Sequence, residues 1–255
     1  MTRALGPADE KRHVPLDDPG WCEAFTFDFV ADDATIAGAL GLVLFPAFAR
    51  CTFWTCLAGD RQFLTIVESD LAMPRDLELR APGLWFEIQV LVPGDHAMVG
   101  LEAFAVGLDD PADALGRLWG DRVPFGLDLE WDGGLSPIDQ PLVGTDGYEL
   151  MCRVHGEVLV AESRIEFDGF GSRSHTWGTP HPWTRPWQRI VHGDAVAWPQ
   201  QVPGQATVLA NAPMRVSFPD GTSCQVDRAL ATVAVPGSPS GTPRQPAWIE
   251  RNLPC

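Results

Sequence analysis

The chain has 255 residues, 45% apolar and 20% charged, with a formal net charge of −16. It is long enough to bury one large core or two small ones, and its composition excludes global disorder. So acidic a chain lacks the basic footprint that nucleic acid or an anionic membrane requires, so neither is expected as a partner.

Met1 to Gly20 is charged and rich in proline, without the apolar segment of a secretory signal, which predicts a cytoplasmic protein. Phe25, Phe27 and Phe29 then alternate with Thr26 and Asp28, the period of a half-buried strand. The longest apolar run, Ile36 to Ala49, is broken by Gly38, Gly41 and Pro46. It is shorter than the roughly 20 residues that span a bilayer. Leu84, Phe86, Ile88, Val90 and Val92 form a second alternating row. Asp110 as N-cap, Pro111 at the first helical position and Asp113 in the first turn predict a short helix that Gly120 ends. Leu115, Leu118 and Trp119 give it an apolar side suited to closing a barrel end.

Phe125, Leu127, Leu129 and Trp131 form the next row, opposite a stripe of Asp128, Glu130 and Asp132 that reads as a solvated face or a polar cavity wall. Gly133 to Gly147 has linker composition. Beyond it, Tyr148, Leu150, Cys152, Val154, Val158 and Val160 oppose Glu149, Arg153, His155 and Glu157. The Trp/Pro segment Gly178–Pro186 is a second candidate boundary, Pro219-Asp220-Gly221 reads as a hairpin loop, and Pro236–Pro246 as an irregular loop. Many short strands with one helix predict an all-β barrel or sandwich. The six cysteines show no CxxC pair, and neither HExxH, a dinucleotide-binding glycine motif nor a P-loop is present, so no zinc site and no cofactor is expected.

The richest stretch is Gly169-Phe170-Gly171-Ser172-Arg173-Ser174-His175-Thr176-Trp177-Gly178. On a strand, Arg173, His175 and Trp177 share one face. A cation, a titratable imidazole and a π-surface in one row suit work on an apolar substrate, and equally suit a hydrogen-bonded core.

Several segments, in their order along residues 20 to 190, resemble bacterial members of the AttH and carotenoid 1,2-hydratase group. They are Gly83-Leu84-Trp85, Leu101-Glu102-Ala103-Phe104, Gly120-Asp121-Arg122-Val123-Pro124, Asp128-Leu129-Glu130-Trp131 and Arg153-Val154-His155-Gly156-Glu157-Val158. His175-Thr176-Trp177-Gly178 is similar to the group's Asp-His-x-Trp-Gly signature, with Ser174 in the place of the aspartate. The hydratases' downstream Tyr-x-Asp is missing, and Tyr148 is the single tyrosine.

The resemblance implies two packed lipocalin-like antiparallel β-barrels with one short helix, expected over 15–170 and, smaller or reduced, over 171–255. It also implies large apolar substrates: carotenoids in the hydratases, polyketide-derived molecules in related cyclases. The hydratases' proton-transfer roles would fall on His175 and Trp177. The expected activity is cofactor-independent cyclisation, hydration, isomerisation or oxygenation of a polycyclic or polyene molecule in a barrel cavity. The alternatives are a carrier of the same ligands and a barrel filled by its own side chains, in a monomer or homodimer.

His175 is the candidate proton shuttle, or else a core histidine bonded to a carboxylate or carbonyl. Arg173 is a candidate charge stabiliser, or else the partner of a carboxylate. Glu102 shares a face with Phe104, Val106 and Leu108, which suggests a buried acid or an arginine's partner. Trp177, Trp183, Trp187, Trp85, Phe104 and Tyr148 are the expected substrate-facing residues.

Overall fold

The computed structural model describes residues 5–133, 145–179, 181–193, 195–198, 206–234 and 244–255. Most of the linker expected at Gly133–Gly147 and of the loop expected at Pro236–Pro246 lies outside the described residues. The first ten strands are β1 (Cys22–Ala31), β2 (Ile36–Phe45), β3 (Arg50–Gly59), β4 (Phe63–Ala72), β5 (Glu78–Ala81), β6 (Leu84–Val92), β7 (His96–Leu108), β8 (Asp121–Asp132), β9 (Thr145–Val160) and β10 (Ser163–Gly178). They form one antiparallel sheet in the order β4-β3-β2-β1-β10-β9-β8-β7-β6-β5. Pairing of β4 with β7, from Phe63 opposite Leu108 to Thr65 opposite Val106, closes the sheet into a ring.

Strand alternation fills this barrel. Phe25, Phe27 and Phe29 of β1 point inward with Leu40, Leu42 and Leu44 of β2, Phe86 of β6 and Trp131 of β8. All ten residues of β2 are buried because both of its faces are covered. Its inner residues meet the barrel interior, while Ala37, Ala39 and Val43 pack outward against a second sheet. The apolar run read at Ile36–Ala49 is therefore, over Ile36–Phe45, a strand buried on two sides, and its last residues form an exposed 3₁₀ turn.

The second sheet contains β11 (Trp187–His192), β12 (Ala195–Ala197), β13 (Thr207–Asn211), β14 (Met214–Ser217), β15 (Ser223–Val233) and β16 (Gln245–Pro254). Its order is β12-β11-β16-β15-β13, with β14 also paired to β15. Among the described residues it stays open, so the second unit is the reduced one. Met214, Val216, Val226, Leu230 and Trp248 pack on the outer faces of the barrel, and we call this junction the seam. The boundary expected at 170/171 falls inside β10, which belongs wholly to the first sheet. The change of sheet comes between Gly178 and Trp187.

The predicted helix starts as expected, with Asp110 Oδ1 accepting from Ala112 N at 2.9 Å, but it is a single 3₁₀ turn over Pro111–Leu115 that stops at Gly116. Trp119 lies beyond it and is 79% exposed. The turn packs between β7 and β14. The barrel mouth is closed instead by residues 5–20, the strap. Arg12 Nη1 donates to the carbonyls of Pro74 (2.8 Å) and Arg75 (2.9 Å), and Gly94 N donates to Glu10 Oε1 (2.7 Å). Among the described residues no helix is long and apolar enough to cross a membrane.

Candidate functional site

Arg173, His175 and Trp177 lie on the inward face of β10, opposite Phe27, Phe25 and Glu23 of β1. Each is met by the strap or by its anchor. Both terminal nitrogens of Arg173 donate to Glu10, at 2.8 Å each, and Tyr148 Oη donates to the same carboxylate. His175 is 1% exposed, with Nδ1 2.8 Å from the Asp9 carbonyl and Nε2 2.8 Å from Glu23 Oε1. Trp177 stacks on His13, ring centroids 3.6 Å apart. These contacts are those of a core histidine bonded to a carboxylate and a carbonyl, and of an arginine paired with a carboxylate.

Burial pushes the His175 pKa down against the opposing pull of Glu23. Burial also works to raise Glu10, but the hydrogen bonds and charge of Arg173, helped by Tyr148 and Gly94, hold it below the usual carboxylate range. The Tyr148 hydroxyl is pushed up by burial.

Trp85, Glu102 and Phe104 come together elsewhere, on the outer face of the barrel, beside a groove of about 560 Å³. Trp85 Nε1 donates to Glu78 Oε1 at 3.1 Å, and Phe104 is 51% exposed. The burial expected for Glu102 does not occur. It shares its face with Phe104, as the alternation says, and both side chains are exposed because no described residue covers that face.

Trp183 and Trp187, expected to face the substrate, line the seam. Trp183 is buried in the 3₁₀ turn Pro182–Thr184, and Asn252 Nδ2 donates to its carbonyl at 3.0 Å. Both face a cavity of about 50 Å³ between barrel and second sheet, with Trp54, Trp198, Asp28 and Glu149. Gly41 makes room for Trp54. The two are paired across β2 and β3, and a Cβ on Gly41 would lie 2.5 Å from the indole. The Arg228 guanidinium covers the Trp54 ring 4.3 Å from its centre.

The polar side of the cavity is a buried ion network. Arg189 Nη2 bonds Asp28 Oδ2 (2.5 Å), Nε bonds Glu149 Oε1 (2.7 Å) and Nη1 bonds Glu250 Oε2 (2.5 Å). Arg228 Nε bonds Glu250 Oε1 at 2.6 Å. Ser172 N donates to Asp28 Oδ1 (2.8 Å), and its hydroxyl joins Asp28 and Glu149. The β10 backbone approaches so closely that a Cβ on Gly171 would sit 1.9 Å from the Asp28 carbonyl oxygen, so only glycine fits there.

Burial outweighs Arg189 at Asp28, with Glu250 and Glu149 adding to it, and raises the carboxyl to about 6. Burial also acts to raise Glu250, but Arg189 and Arg228 leave it lowered. Four buried polar atoms of cavity-lining residues have no partner among the described residues: the indole nitrogens of Trp54, Trp187 and Trp198, and Glu149 Oε2. Each such atom costs about 1–3 kcal/mol when unmet. The residues around the cavity thus carry three indole N–H groups and one carboxylate oxygen without partners among the described residues, and a carboxyl raised to about 6. This set suits acid–base chemistry on a largely apolar molecule.

The sequence analysis did not single out Asp28, Glu149, Arg189, Arg228 or Glu250. For Arg189, Arg228 and Glu250 the signal is a charge beside apolar residues of the same face; Glu149 shares its face with Arg153 and His155 and gives none. Arg189 lies between Trp187 and Val191, and Glu250 follows Trp248 on the same face.

An AttH-assigned protein from Nitrosomonas europaea shares the fold, with a TM-score of 0.51 at 10% identity over 98% of this chain and 97% of that one. A structure of CghA with Sch210972 superposes at a TM-score of 0.46 and 11% identity, over 92% of this chain and 88% of that one. Among curated proteins, none matches the chain. The profile of a domain of unknown function, DUF7064, matches residues 6–197, all ten barrel strands and the first two strands of the second sheet, and the chain belongs to that family.

Proposed function

We propose that this protein is a cofactor-independent enzyme of polyketide or isoprenoid metabolism, with its active site in the seam cavity. Asp28 exchanges a proton with the substrate, Glu149 Oε2 receives a polar hydrogen, and the indoles hold an apolar skeleton. The reaction belongs to the class of cyclisations, hydrations and isomerisations, which need an acid, a base and a shaped dry wall. The observation that carries this reading is a carboxyl raised to about 6 on a cavity whose lining residues carry four buried polar atoms with no partner among the described residues. A cavity of about 50 Å³ holds water, so a larger guest enters by parting Trp187 from Trp198, which meet edge to face at 5.8 Å. The sequence resemblance to the hydratase group supports a large apolar substrate.

The test titrates tryptophan fluorescence with a linear polyene alcohol and with a tetracyclic phenol, and follows the same probes by mass spectrometry for conversion. Saturable quenching is expected, weakened in Trp187→Ala. Turnover is expected to fall by about 100-fold or more in Asp28→Asn and Glu149→Gln, with affinity retained. Quenching without conversion in the unaltered protein makes the chain a carrier. Quenching unaffected by Trp187→Ala removes the ligand from the seam.

A further inference from the structure

The seam uses none of Arg173, His175 and Trp177. Around His175 the hydrogen bonds close only when the cluster carries an added positive charge, a proton or a metal ion. Glu23 Oε1 is approached by three nitrogens: His13 N at 2.8 Å, His13 Nδ1 at 2.9 Å and His175 Nε2 at 2.8 Å. On its other side His175 Nδ1 lies 2.8 Å from the Asp9 carbonyl. A carbonyl only accepts, so Nδ1 carries the ring proton. A neutral ring then presents a bare Nε2 lone pair to a carboxylate oxygen, and two acceptors at this distance require a positive species between them.

The ligating atoms of His13, Glu23 and His175 all lie within 4.8 Å of one another. They come from the strap, β1 and β10, so no spacing motif in the sequence could announce them. Two imidazoles and one carboxylate are a known Zn²⁺ donor set that leaves a fourth position open. A backbone carbonyl behind the non-ligating nitrogen is the outer contact that fixes a metal-binding histidine's tautomer. Glu23 and His175 are each 1% exposed and His13 is 22% exposed, so the approach is from the His13 side, which borders a groove of about 760 Å³.

We propose that His13 Nδ1, Glu23 Oε1 and His175 Nε2 bind one divalent transition-metal ion of the zinc class, which pins the strap across the barrel mouth. The outer face carries a rival group, His96, Glu130 and Asp132, whose ligating atoms are equally close together but partly exposed. The experiment separates the two.

The full chain is stripped with chelator and dialysed against Zn²⁺, then against Co²⁺. One tightly bound equivalent is expected, with the intense visible bands of four-coordinate Co²⁺. His13→Ala is expected to weaken it by about 100-fold, and His96→Ala to leave it unchanged. Loss of the equivalent in His96→Ala, with retention in His13→Ala, overturns the proposal. So does failure of the unaltered chain to bind either ion, which leaves a shared proton at Glu23. A readout that needs no variant is tryptic cleavage after Lys11 and Arg12 in the unaltered chain. Zn²⁺ is expected to slow it severalfold, and an unchanged rate overturns the pinning of the strap.

Discussion

The barrel mouth and the seam both bury arginines among carboxylates, yet they meet those charges differently. At the mouth the counter-groups come from the chain's own strap, which delivers Glu10, the Asp9 carbonyl and His13 into the barrel. At the seam they come from two sheets that meet face to face, and among the described residues the fit leaves Glu149 Oε2, Asn252 Oδ1 and the indole nitrogens of Trp54, Trp187, Trp198 and Trp248 without partners. A segment threaded into a barrel can adjust residue by residue, and at the mouth it leaves Arg173 Nε without a partner among the described residues. Two rigid sheets cannot adjust in this way, and the residue of unmet atoms marks where water or a guest belongs.

The sharpest test of this contrast is Arg189→Met. It strips the cation shared by Asp28, Glu149 and Glu250, and about 3–5 kcal/mol of stability should be lost in urea unfolding. A loss under about 1 kcal/mol would give the network no more weight than a surface pair and erase the distinction.

Next in size is a pH effect at Asp28, which faces Arg189, Glu149, Glu250 and Ser172. Its carboxyl is raised from 3.8 to about 6, so the folded state holds the proton more tightly than the unfolded one. The associated stability is present below the unfolded value and is lost as pH rises through that window, by up to about 3 kcal/mol. Unfolding free energies measured across the window should therefore fall with rising pH, and the slope should flatten in Asp28→Asn. An identical slope in the variant would assign the titration elsewhere.

The smallest effect is expected at the mouth. Glu10→Gln removes the charge from a hydrogen-bonded pair but keeps an acceptor beside Arg173, and should cost about 2 kcal/mol. It should also speed tryptic cleavage of the strap. A cost equal to that of Arg189→Met would make the strap as integral as the second sheet.

Much of the barrel was legible because period two is a local property. Phe25, Phe27 and Phe29 point inward as their alternation says, as do Phe125, Leu127, Leu129 and Trp131. Local alternation assigns two faces but does not say what covers the outer one. Glu149 was grouped with Arg153 and His155 on a polar face, and the second sheet buries it. Glu102 stood in an apolar row and suggested burial, but lies where no second sheet reaches. The two carboxylates exchange roles because docking of the second sheet decides which outer face is dry. The partners of His175 were equally out of reach, since Asp9 and Glu23 lie 166 and 152 positions away in sequence.

The pairing of β1 with β10 also orders events during synthesis. Residues 22–31 find their second neighbour only in residues 169–178, and the Glu10–Arg173 pair spans 163 positions. On the ribosome the early strands wait as a curved fragment with a raw edge, a template for unwanted pairing between nascent chains. The tenth stave finishes the cask and its stopper is seated after that, so maturation follows the slow kinetics of long-range β topology.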